Sequence, residues 1–292
     1  MTVETIPAGI PSISARYAPV EESAGRTIRV LRMGRRTCER LDAAPREAGE
    51  IHSAYARTLN LLWHDGRLLT LHGPGPLRAP FAAAVNHLPR ELWPGTRVWR
   101  EGEGMRLGSY LLAWKGCAAV ETRLRPEGGG ARLLLEALAS RPAPPAAAGL
   151  LSPGGRTAQR RLDHGIRKRD AKAFVEGATA LIGLGEGLTP AGDDCLVGAL
   201  AVLSRHAATW LAEHAEIRTA LAVKTETGTT TLGREFLLHA LEGSFSEAIL
   251  GLMQARSAAE AVERIDRLRT MGASSGADTL WGMRLALEAL FP

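Results

Sequence analysis

The sequence predicts an α+β chain: a β-rich N-terminal domain, barrel-like or an open antiparallel sheet, followed by a mainly α-helical C-terminal domain. Three observations carry this. Short apolar-polar alternations bounded by turn residues recur before residue 125, and apolar residues recur at three- and four-residue spacing after residue 156. Between them, ASRPAPPAAAGLLSPGG (139–155) has neither period and holds four prolines, the composition of a linker. The expected division is therefore 1–138, a Pro/Ala/Gly-rich linker region at 139–155, and 156–292.

In chain order, residues 26–38 alternate around Ile28, Val30 and Leu31 and are interrupted by Gly34, a strand pattern. The runs Leu59 to Trp63 and Leu68 to Leu71 flank Asp65-Gly66, a dipeptide that tolerates the positive φ of a tight hairpin turn. Residues 80–88 read as one short helix ended by Pro89, and 105–124 as a pair of strands broken at Lys115-Gly116. Beyond the linker, Leu162, Ile166, Phe174, Ala178 and Leu181 fall at helical spacing, and 194–223, 234–254 and 257–270 continue the helical pattern.

Composition bounds the function. The chain has 292 residues, 45% hydrophobic and 23% charged, which excludes a disordered or collagen-like polymer and supplies enough side chains for a core. The N-terminal stretch carries Glu4, Pro7 and Pro11 where a signal peptide needs a basic flank and an apolar run. The longest apolar run, Cys195 to Leu203, is about half of what a membrane-spanning helix requires. A net charge of +5 is modest, so neither nucleic acid nor a membrane is expected as a partner. Cys38, Cys117 and Cys195 lie far apart in sequence and suggest no disulfide framework, which fits a reducing cytoplasm. The eight histidines show no HExxH or HxH spacing and suggest no zinc site.

The chemistry concentrates in three segments. In GLGEGLTPAGDD (183–194), Thr189 is a good N-cap and Pro190 suits the first helical position. Asp193 and Asp194 then fall in the first turn, at the positive end of the helix dipole. Glycines at 183, 185, 187 and 192 permit close backbone approach. Amides here suit an anionic group, paired carboxylates suit Mg²⁺, and simple capping and packing would explain the same residues. In MGASSGADTLWG (271–282), Ser274 or Ser275 caps a helix whose first turn holds Asp278, so acids at 193, 194 and 278 are expected to converge. TGTTTLG (227–233) places Thr229, Thr230 and Thr231 at the entry of a further helix, where β-branched hydroxyl residues favour caps over helix interiors.

GLGEGLTPAGDD, the TTT segment and GASSGAD (272–278), with the Asn60-Leu61 strand pair, resemble the AllH-type family, one branch of which is associated with oxamate carbamoyltransferase in allantoin degradation. The resemblance implies a cytoplasmic subunit acting with partner proteins, moving a carbamoyl group between oxalurate and phosphate to give oxamate and carbamoyl phosphate. The chain departs from the family pattern at Glu186, Ala191 and Ala273, where proline, serine and histidine are usual, so a different acid or amide is a possible substrate. Joined to the local physics, it assigns Gly185, Gly187, Thr189, Gly192, Thr229, Thr230, Ser274, Ser275 and Gly276 to substrate binding. Asp193, Asp194 and Asp278 take the catalytic role, positioning an amide nitrogen or Mg²⁺. A shorter likeness, in the second half alone, is to the dimagnesium site of ADP-ribosyl-acceptor hydrolases. A third reading is a non-catalytic scaffold subunit.

Overall fold

The structure, a computed structural model, describes residues 26–43, 47–126, 130–141 and 148–292. The first 25 residues, where the absence of a signal peptide was read, and 142–147 of the proline-rich stretch lie outside them. The N-terminal half comprises β1 (Arg26–Gly34), α1 (Arg35–Asp42), β2 (Glu47–Ala54), β3 (Thr58–Trp63), β4 (Leu68–His72), β5 (Ala82–Val85), β6 (Arg97–Glu101), β7 (Gly104–Leu107), β8 (Tyr110–Ala113) and β9 (Ala118–Val120). Hydrogen bonds join them in the order β5-β4-β3-β2-β6-β7-β8-β1, and β1 also pairs with β5, closing an eight-stranded barrel with β9 attached to the far end of β1. Of the two architectures the sequence allowed, closure selects the barrel. The sheet is mixed, because β1 runs parallel to β8 and β9, and β4 parallel to β5.

Two sequence expectations are corrected here. Residues 80–88 contain strand β5, not a helix. Ala82, Ala83, Ala84 and Val85 are all buried, and pairing with β4 on one side and β1 on the other outweighs the helix preference of alanine. Residues 105–124 carry parts of three strands rather than two, since Gly108, at φ 55°, turns the chain between β7 and β8 before the break at Gly116. The β3-β4 hairpin forms as expected, with Gly66 at φ 78°.

The helical half comprises α2 (Ala131–Ala139), α3 (Ala148–Leu151), α4 (Pro153–Lys168), α5 (Ala171–Leu181), α6 (Ala191–His206), α7 (Ala208–Glu213), α8 (Ala215–Gly228), α9 (Thr231–Leu241), α10 (Glu247–Met253), α11 (Ala258–Arg269) and α12 (Ser275–Leu290). Helix α2 shares the helical core through Leu134, Ala137 and Leu138. Helix α6 is buried on every side from Ala191 to Leu203, so its unbroken apolar run marks a central core helix rather than a surface one. Beside it lies α12. The seam is made of glycine: a Cβ on Gly198 would strike the Thr279 carbonyl, and one on Gly282 would strike that of Cys195. Ser275 and Asp278 meet Asp194, and Gly282 meets Cys195, so the two helices begin side by side. Among the described residues no helix is long and apolar enough to cross a membrane.

The halves are stitched together. Phe245 N–H donates to the Thr122 carbonyl at 2.9 Å, Leu124 N–H to that of Gly243 at 2.8 Å, and Arg32 pairs with Glu247 at 2.7 Å. Between them, Leu68, Ala79, Phe81 and Ala82 form a small apolar layer against Leu232 and Phe236 of α9.

Candidate functional site

The glycine-rich loop folds back on the start of α6. Pro190, not Thr189, occupies the N-cap position, so the helix begins one residue later than the capping pattern suggests. Thr189 is thereby freed from capping, and its hydroxyl meets that of Ser275 at 2.7 Å. Asp193 is 1% exposed, and both its oxygens are engaged. Oδ1 accepts from Gly183 N–H at 2.7 Å, and Oδ2 accepts from the Thr229 hydroxyl. The carboxylate thus ties the start of the loop to the threonine segment. Burial pushes its pKa from 3.8 up to about 6, against the lowering pull of those two donors. Asp194 is also raised, chiefly by burial and further by the charges of Asp278 and Asp193, while the Ser275 and Thr189 hydroxyls hold it down. Cys195, beneath them, is fully buried with its thiol pushed up to about 12.

The acids at 193, 194 and 278 therefore do come together, below the surface. Asp278 is fully buried in the first turn of α12, and Gly276 lies against the Leu268 carbonyl. Ser274 stands at the N-cap of α12 without a side-chain cap hydrogen bond. Gly192 packs on the Leu181 carbonyl, and Gly185, at φ 122°, on Ala191, whereas a Cβ on Gly187 would meet open space. Among the described residues no three His, Cys, Asp or Glu side chains are grouped as a metal ion would need. Asp193, central to the Mg²⁺ expectation, has both oxygens turned to protein donors.

Open space lies on the other side of the loop. A cleft of about 270 Å³ runs between the barrel face at His52, Ser53 and Asn60 and a wall formed by Leu188, Thr230 and Thr231. Thr230 caps α9 by accepting from Gly233 N–H at 2.9 Å, and its hydroxyl donates to the Leu188 carbonyl at 2.5 Å. This wall therefore presents the N-terminus of α9 and the loop as one unit. Thr230 is the one residue of the expected binding set that lines it. On the barrel side, the sequence marks Asn60 only as part of the family resemblance, and no binding role is expected there. Asn60, 4% exposed, donates from Nδ2 to Ser53 Oγ at 2.9 Å and accepts at Oδ1 from the Thr70 hydroxyl at 2.6 Å. These residues come from three strands, so no spacing in the sequence announces them.

A second cavity, about 190 Å³, opens farther along α9 and is lined by Arg36, Arg40, Asp65, Arg67, His239 and Glu242. Its charges are paired. Arg67 Nε lies 2.9 and 3.1 Å from the two oxygens of Glu235, whose side chain is completely buried. Arg40 pairs with Asp65 at 3.1 Å, and Arg36 with Glu242. Burial and the arginines push His239 down to about 3, so the ring is neutral and Nε2 accepts from Arg67 at 3.1 Å.

The fold is a closed barrel fused to a helical half, with a glycine-rich loop braced by a buried aspartate beside a capped helix start and a cleft at the seam. The chain belongs to the AllH family. The model described as oxamate carbamoyltransferase subunit AllH matches residues 181–287, and that of the AllH family N-terminal domain matches 29–121. Family membership makes it, in general terms, a carbamoyltransferase-type subunit. No solved structure matches the chain.

Proposed function

We propose that this chain is the subunit of a carbamoyltransferase-type complex that holds a small anionic substrate, an oxamate- or oxalurate-like acid or carbamoyl phosphate, in the cleft between the barrel and α9. The observation that carries this reading is the Asp193 tie, which fixes the glycine loop and the α9 start as one wall with a helix N-terminus beside the cleft. In this reading Asp193 is a positioning residue rather than a substrate contact. Asp194 and Asp278, with Thr189 and Ser275, hold α6 and α12 in register behind the loop. Partner subunits supply the remainder of the active complex.

Thermal unfolding of the full chain with phosphate, carbamoyl phosphate, oxamate and oxalurate tests the proposal. A ligand at 100-fold its Kd adds about 2.7 kcal/mol, which for a chain of this size raises Tm by about 5–10 °C. The shift should vanish in Leu188→Trp, which fills the cleft. A flat panel, with and without partner subunits, or a shift untouched by Leu188→Trp, would overturn it.

A further inference from the structure

The cleft contains an arrangement that the family match does not assign. On β2, Ile51 pairs with Leu61 and the next pair is Ser53 with Asn60, so His52 is the extra residue of a β-bulge. Regular pleating sends neighbouring side chains to opposite faces, and a bulge re-aims them. Here it brings His52 Nδ1 to 3.1 Å from Ser53 Oγ, both lining the cleft. The hydrogen bonds behind Ser53 occupy one of its two acceptor positions. The Thr70 hydroxyl donates to Asn60 Oδ1, which turns Asn60 Nδ2–H toward Ser53 Oγ. With one lone pair of that oxygen taken by Asn60, its hydrogen is free to donate to His52 Nδ1 in the tautomer that leaves this nitrogen unprotonated. Asn60 and Thr70 are 4% and 7% exposed, so this orientation is held by the barrel rather than by solvent.

We propose that Ser53 and His52 form a nucleophile-base pair that takes up a carbamoyl group within the cleft. The geometry is that of an activated serine: a hydroxyl within reach of an imidazole, with a third group orienting the pair. Across the cleft stands the N-terminus of α9, at Thr230 and Thr231, which favours negative charge developing on a carbonyl oxygen. In the step, Ser53 Oγ bonds to the carbonyl carbon of carbamoyl phosphate and its proton passes to His52 Nδ1. The carbon-oxygen bond to phosphate breaks, and the phosphate leaves with the bonding pair and takes the proton from His52. The products are carbamoyl-Ser53 and inorganic phosphate. Asn60 is a positioning residue. This proposal rests on the carbamoyltransferase reading only for the identity of the group transferred.

The test is therefore made with a probe that owes nothing to that reading. The full chain is treated with diisopropyl fluorophosphate, and the modified residue and rate are followed by intact mass and peptide mapping. Expected is one adduct per chain on Ser53, forming 10²-fold or more slowly in His52→Gln and absent in Ser53→Ala, which still unfolds cooperatively though at a lowered Tm because Asn60 Nδ2 loses its acceptor. Asn60→Asp, whose carboxylate draws the Ser53 proton away from His52, should slow labelling. Labelling spread over other serines, or a rate indifferent to His52→Gln, would overturn the pair. Carbamoyl phosphate binding without Ser53 labelling sinks this proposal and leaves the subunit reading standing. Labelling of Ser53 with a flat ligand panel, carbamoyl phosphate included, supports the nucleophile-base pair but overturns its carbamoyl step together with the subunit reading.

Discussion

Replacing Asp193 with asparagine reads out the strut that organises the loop. The side chain is buried and its pKa is raised from 3.8 to about 6, so the folded protein holds the proton more tightly than the unfolded chain does. The sign follows: stability from this group is fully present below pH 3.8 and is lost as pH rises through about 6. At about 1.4 kcal/mol per pH unit, the full loss is about 3 kcal/mol, most of it between pH 4 and pH 7, or about 5–12 °C in Tm for a chain of this length. Asparagine reproduces the protonated state. Its Oδ1 can still accept from Gly183 N–H, and its amide can donate to a Thr229 hydroxyl turned to accept. Tm measured from pH 4 to 7.5 should therefore fall more steeply in the wild-type protein than in Asp193→Asn. Glu235, whose pKa is also raised by burial, titrates in both proteins, whereas Asp194 is held up in part by the Asp193 charge, so the difference between the two curves reports residue 193 together with its coupling to Asp194. Parallel curves would refute the buried-strut account.

Three further outcomes follow from other parts of the fold. Gly282→Ala places a methyl group against the Cys195 carbonyl where α6 and α12 touch. Overpacking should cost about 1–3 kcal/mol, exceeding the ~1 kcal/mol gained in helix propensity and lowering the urea midpoint, whereas an unchanged midpoint would mean the seam is loose. The Cys38 and Cys117 sulfurs, 79 positions apart in sequence, lie 3.7 Å apart, so oxidised glutathione should close a disulfide and release two glutathione thiols. Closing so long a loop adds about 4 kcal/mol in the chain-entropy account; the checks are a loss of two free thiols and a raised Tm, with stable glutathione adducts counting against it. Arg67→Met strands the buried Glu235 and should cost about 3–5 kcal/mol, much of it recovered in Arg67→Met with Glu235→Gln. Purely additive effects in chemical denaturation would show that the pair is not coupled.

What the sequence made legible and what it did not divide along a physical line. Features written in local periodicity were readable: the β3-β4 hairpin from Asp65-Gly66, the helical second half, and the acidic first turns of α6 and α12. Features that depend on which strand lies beside which were hidden. Alanine at 82–84 favours a helix until β4 and β1 claim it, and Cys38 and Cys117 look remote until β1 runs parallel to β8 and β9. The cleft is the sharpest case. A strand period of two sends His52 and Ser53 to opposite faces, so a sequence reader discards the pair, and one unpaired residue against β3 is enough to reverse that conclusion. The conspicuous aspartates had the opposite fate. Their position at helix N-termini was right, yet the same dipoles, glycines and hydroxyls that suit a ligand also suit one another, and Asp193 is fully engaged inside the protein. The acidic interior thus sets the shape of the loop, and under the proposals above the reactive groups come from the barrel edge.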